Sequence, residues 1–170
     1  MIKISAMLLL ASGFYLAGKW AASVQEKRAV LLGDIMLLIN IICSRLRHSR
    51  LPVTDLLRVL DENQGLSRLG FIKTCREKVC FGEPFPDAWR ESVRAETELC
   101  RLLAGSAEHL ESFGADIGST DLESQLSGCE YYTGIFGREL ELQREKSRKY
   151  SGLFPPLGML IGISAAILIV

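Results

Sequence analysis

The chain is predicted to be all-α, and three observations carry that expectation. Apolar residues recur at helical spacing between segments punctuated by Gly and Pro. Strand-like alternation of period two with turn chemistry around it is missing. Finally, both ends are apolar runs, "MIKISAMLLLASGFYLAGKWAA" and "LFPPLGMLIGISAAILIV". We therefore expect an antiparallel cytoplasmic helical bundle between two transmembrane helices: an N-terminal anchor over 1–22, the bundle over 23–150 and a C-terminal membrane helix over 151–170.

The two runs set the frame. A helix crosses the hydrocarbon layer with about 20 apolar residues at about 1.5 Å each, and Leu153–Val170 contributes 18 residues without a charge. The first run, flanked by Lys3 and Lys19, also fits a signal peptide. Lys19 and Trp20 sit badly before a cleavage site, which favours a retained anchor with Trp20 at the headgroup level. Lys19, Lys27 and Arg28 follow the first run, and Arg144, Lys146, Arg148 and Lys149 precede the second. The positive-inside bias then puts the middle of the chain in the cytoplasm. Five scattered cysteines agree, being expected as reduced, buried thiols.

Ala29–Cys43, "AVLLGDIMLLINIIC", is interrupted only by Asp34 and Asn40. It is short for a span, and an aspartate near its middle costs about 2.5–3.5 kcal/mol on insertion scales. It reads as the central helix of the bundle. Shorter helices are expected from Pro52 to about Asn63, from Ser67 to about Cys80, and from Pro86 or Asp87 to Ala104, each proline suiting a first turn. In the last of these Trp89, Val93, Cys100 and Leu103 share a face, which makes Trp89 a core residue. Leu122, Leu126, Cys129, Thr133, Phe136 and Leu140 then line a long helix that starts at a Thr120/Glu123 capping box and runs to Tyr150. Pro155 and Pro156 are expected to break it from the membrane helix.

Chemistry is sparse. The formal charge is zero, so no basic face argues for nucleic acid. There is no phosphate loop, and "GADIG" lacks the setting of a dinucleotide turn. His48 and His109 stand in polar contexts without a thiol partner, and Cys75 and Cys80 are not spaced as zinc ligands. The expectation is a non-enzyme with no cofactor, no metal and no small-molecule substrate. Two features invite partners instead. "RLRHSR" places Arg45, Arg47 and Arg50 about 40 Å from the bilayer, beyond the reach of anionic lipid. Gly158 and Gly162 share one face of the terminal run, as Gly13 and Ala17 do in the first, and small residues let membrane helices pack closely.

Three blocks carry a resemblance: "FPDAWRESV", with Ala88-Trp89, "LESFGADIGSTDLESQL", and "KYSGLFPPLGMLIGISAAILIV". Together they resemble the stage III sporulation protein AB family over nearly the whole chain. The middle block, with Gly114, Gly118, Asp121 and Gln125, is the specific part. The resemblance implies a bundle like the cytoplasmic domain of type II secretion and type IV pilus platform proteins. It implies a structural role for Trp89 and those four residues, and a place in the assembly joining mother cell and forespore, in the mother-cell membrane. The implied partners are a secretion-type ATPase and other membrane proteins of the sporulation operon. A platform subunit of another secretion or pilus machine, a membrane-bound regulatory binding protein and a cryptic hydrolase are the alternatives.

Overall fold

Seven α-helices and no strand make up the computed structural model over the residues described, 2–48, 52–119 and 121–169; side-chain surroundings are described over 23–48, 52–117 and 121–149 and at 13, 16, 19, 20 and 160. The helices are α1 (Ile2–His48), α2 (Val53–Asp61), α3 (Phe71–Cys80), α4 (Phe85–Ala95), α5 (Thr97–Leu103), α6 (Ser106–Ser119) and α7 (Leu122–Ile169), with a 3-10 turn at Gln64–Leu66. The chain forms two compact units, Val30–Leu140 and the pair of outer segments Met1–Ala29 and Glu141–Val170.

The Val30–Leu140 unit is organised by α1. Leu32, Ile35, Leu38 and Ile39 have no exposed surface, so the Ala29–Cys43 stretch does form the central helix. Among the described residues Ser23–His48 is also the one helical stretch long and apolar enough to cross a membrane, with mean hydropathy 1.9. Asp34 resolves the polar interruption: it is buried, and the Arg68 guanidinium donates to both its oxygens at 2.6 and 2.8 Å. A buried carboxylate is tolerable when paired and hydrogen-bonded in this way.

Around α1 the short helices pack α2 on α3, α3 on α4 and α4 on α6. Their bounds differ from the sequence expectation at two places, and α6 forms where no helix is expected. Where a helix from Ser67 is expected, Asn63 instead accepts from Gly65 N at 2.9 Å, and the chain makes a 3-10 turn with Leu66 and Leu69 buried before α3 begins at Phe71. The helix expected to run on to Ala104 is broken at Glu96, with φ −86° and ψ 80°. The Glu96 carboxylate accepts from Phe71 N at 2.7 Å, so it caps α3 and stabilises that helix's positive end. Trp89 and Val93 therefore sit on α4 while Cys100 and Leu103 sit on α5, and the shared face divides between two helices.

A turn through Ala104, at φ 50° and ψ −127°, separates α5 from α6. In α6, Ser106 is buried and donates to Glu139 of α7. Thr120, half of the expected capping box, lies outside the described residues; Asp121 occupies the capping position, its carboxylate accepting from Ser124 N at 3.4 Å.

The other unit consists of the first part of α1 and the last part of α7. Gln143 is 3% exposed, and its amide donates to the Gln25 carbonyl at 3.1 Å and side-chain oxygen at 2.7 Å. α7 continues to Ile169 without interruption, so Pro155 and Pro156 do not break it as expected. A proline removes one helical N–H, which bends a helix when packing or lipid surroundings hold the rest together.

Candidate docking surface

The last turn of α1 carries Arg45, Arg47 and His48, at the end where unpaired carbonyls favour cations. These residues border two shallow grooves on the Val30–Leu140 unit. The larger, about 500 Å³, runs between α1 and α7, with Asn40, Ser44, Arg47 and His48 on one wall and Glu130, Thr133 and Gly134 on the other. Cys43 and Cys129 line it as well. The smaller, about 330 Å³, is lined by Asn40, Ile41, Ser44, Arg45 and His48. Arg45 and Arg47 thus border different grooves, with the Asn40–Ser44 ridge common to both. Arg50 lies outside the described residues.

Arg47 reaches Glu130 at 4.0 Å with both side chains largely exposed. Such a pair contributes about 0–1 kcal/mol. The guanidinium is consequently available to an incoming carboxylate at little cost.

Cys43 and Cys129 depart from the expectation of reduced thiols. They are joined across α1 and α7, with their Cα atoms 5.8 Å apart. Helix packing brings the two positions within bonding reach; their separation of 86 residues gives no sign of it in the sequence. The remaining thiols are dispersed: Cys75 is buried, Cys80 exposed and Cys100 half-buried. Burial pushes the Cys75 thiol up to about 12, which keeps it protonated and unreactive.

Of the residues that carry the family resemblance, Trp89 and Gly114 meet where α4 packs on α6, and Asp121 and Gln125 stand at the start of α7. Trp89 has no exposed surface, and its indole N–H donates to the Leu110 carbonyl at 2.8 Å. Phe71, Phe85 and Phe113 surround the ring at centroid distances of 5.1, 5.6 and 6.3 Å. On the α6 side Gly114 leaves the space that the indole fills: a Cβ there would lie 2.1 Å from Trp89 Cδ1. Gln125 donates to the Ile117 carbonyl at 2.7 Å, satisfying an acceptor near the end of α6 while Asp121 caps α7. Hydrogen bonds from Ser124 hold the Asp121 carboxyl below its usual range. Gly118 is helical within α6, but its surroundings lie outside the described residues, as do those of Gly158 and Gly162 within α7.

Tyr132 extends this aromatic cluster, 5.3 Å from Phe113, and donates to Asp116 at 2.8 Å. Burial, followed by the Asp116 hydrogen bond, raises its phenol. Among the described residues no three His, Cys, Asp or Glu side chains converge as metal ligands would.

With that geometry in place, comparison with known proteins gives one match: the family model for stage III sporulation protein AB matches residues 3–170. The chain belongs to that family and is a sporulation-related protein. No curated protein and no solved structure matches it.

Proposed function

We propose, from that family membership, that the chain is a non-enzymatic membrane platform subunit of the mother cell–forespore assembly. It presents its helical unit to the cytoplasm and docks a secretion-type ATPase alongside other sporulation-operon membrane proteins. The observation that carries this reading is the course of α1 and α7. Each exceeds 45 residues and leads from the Val30–Leu140 unit into an apolar terminal run.

Exposed apolar side chains in the outer unit support membrane anchorage: Leu16 is 62%, Trp20 70% and Leu160 60% exposed. Large apolar groups left uncovered mark a membrane or partner surface, and tryptophan favours the headgroup region. The docking surface is the end of α1, where Arg45 and Arg47, with Arg50 next along the sequence, offer charge to an acidic segment of the ATPase. Gly158 and Gly162 pack the terminal helix on the first anchor or on a membrane partner.

The reading is tested by purifying the tagged full-length protein from cells at engulfment. A secretion-type ATPase should accompany it, and changing Arg45, Arg47 and Arg50 together to Glu should reduce that capture about tenfold or more with helical content unchanged. Capture undiminished at physiological salt would remove the arginines from the interface. Recovery of other proteins without any ATPase would replace the platform by a regulatory binding protein.

Two further outcomes are expected. Ser67 is exposed, so a Ser67→Cys reporter in a variant otherwise free of cysteine should label only after intact cells are permeabilised. Labelling from outside would place the helical unit across the membrane from the ATPase. Gly162→Leu should lower recovery of the assembly from detergent while the chain stays membrane-bound, and Leu160→Ile should leave it unchanged.

A further inference from the structure

Cys43 and Cys129 sit on α1 and α7, and both line the groove beside Arg47. Their Cα separation of 5.8 Å falls within the range a disulfide requires. Cys129 is 3% exposed and Cys43 partly exposed, so Cys43 is the more accessible residue of the pair. The pair lies at the edge of the core, beside the buried Ile39 and Ile42 of α1 and Tyr132 and Phe136 of α7, and the contacts on its groove side are weak. Arg47–Glu130 is a long, exposed ion pair, and Gly128 and Gly134 face open space. A covalent link here adds to that packing and holds the groove-side walls of α1 and α7 together.

We propose that Cys43 and Cys129 form a redox modification site, a reversible dithiol–disulfide clamp that fixes the groove between α1 and α7. The reversibility rests on the cytoplasmic placement above, where the small-thiol pool favours the dithiol and oxidation closes it. Closure begins when the Cys43 thiolate attacks a low-molecular-weight disulfide, forming a mixed disulfide and releasing one small thiolate. The Cys129 thiolate then attacks Cys43 Sγ, and the second small thiolate leaves. Two protein thiols are oxidised, one small disulfide is reduced to two thiols, and the two protein protons end on the departing sulfurs. Reduction by small thiols follows the reverse course. Oxidation therefore sets the groove in one geometry and reduction lets its walls move, which changes the ordering cost of anything bound between them.

The test uses the full-length protein in detergent, equilibrated in glutathione buffers from oxidising to strongly reducing, acid-quenched, unfolded and labelled with a mass-tagged maleimide. Three labelled cysteines are expected at the oxidising end and five at the reducing end, the last two appearing together in one transition. Cys43→Ser and Cys129→Ser should each carry four labels once reduced and should lose this paired step. In parallel, amide exchange over 40–48 and 126–134 should be at least tenfold faster in the reduced protein and in Cys43→Ser than in the oxidised protein, with 85–95 unchanged. Five labels at every ratio would mean that the pair does not form. Three labels under millimolar reduced glutathione would make it a permanent disulfide, which overturns the switch, whereas the cytoplasmic placement stands or falls on the Ser67→Cys labelling. Equal exchange in the two redox states would leave a pair that clamps nothing.

Discussion

Trp89→Ala is expected to lower stability by about 3–5 kcal/mol, the usual cost of truncating a fully buried tryptophan. For a chain of this size that corresponds to a melting temperature lower by on the order of 10 °C. The indole packs against Phe71 of α3, Phe85 of its own helix and Phe113 of α6, and its N–H satisfies the Leu110 carbonyl. Removing it leaves a cavity among three rings and a buried acceptor without this donor, and these costs compound. Net stabilities are about 5–15 kcal/mol, so the variant should approach the limit of folding.

Trp89→Phe separates the two contributions. It refills part of the cavity but donates no hydrogen bond, so it should fall between parent and alanine variant. Thermal unfolding of the full-length protein in detergent, followed by circular dichroism at 222 nm, is the measurement. Alanine and parent melting together, with partner capture lost, would assign Trp89 to an interface instead of the core.

How much of this architecture is visible in the sequence depends on how far apart the cooperating residues lie. The central helix at Ala29–Cys43 and the start of α7 within "STDLE" follow from local pattern, which acts within a few residues, although the cap is Asp121 and not the Thr120/Glu123 box expected. Glu96 does not announce a break. Its role depends on the Phe71 N–H, 25 residues upstream, and nothing near Glu96 encodes that partner. Asp34 is visible as an anomaly, but Arg68 is one of 20 basic residues, and nothing local singles it out as the partner. Cys43 and Cys129 are farther apart still. Ser106 follows a turn-like Ala-Gly pair yet is buried against Glu139, because α7 returns over α6 at that level. Of the docking residues, the sequence brings Arg45 and Arg47 into one cluster, whereas the helix places them beside different grooves. Neighbours in sequence on a helix point apart by about 100° per residue, and a basic run therefore divides over its surface.

Gly114→Ala is expected to destabilise the protein by about 1–3 kcal/mol, in the range of overpacked cores. The direction is opposite to what a helix-interior glycine ordinarily gives, because alanine is favoured over glycine there by about 1 kcal/mol. Space decides the sign. The added Cβ would fall 2.1, 2.2 and 2.4 Å from Cδ1, Cγ and Nε1 of Trp89, far inside contact distance. The indole cannot yield easily, since Phe71 and Phe85 pack against it and Leu110 holds its N–H. Gly128→Ala provides the contrast: nothing lies within 4 Å of a Cβ there, so the propensity gain should appear undiminished as a stabilisation of about 0.5–1 kcal/mol. The decisive measurement is a double-mutant cycle with Trp89→Ala. With the indole gone, the alanine methyl enters the vacated space, and Gly114→Ala should turn from destabilising to neutral or stabilising. The two substitutions should then couple by about 1–3 kcal/mol, in the sense that the double variant is more stable than the sum of the singles. Simple additivity would mean that the glycine serves the backbone of α6 and not the ring, and the close approach of α4 to α6 would need another cause.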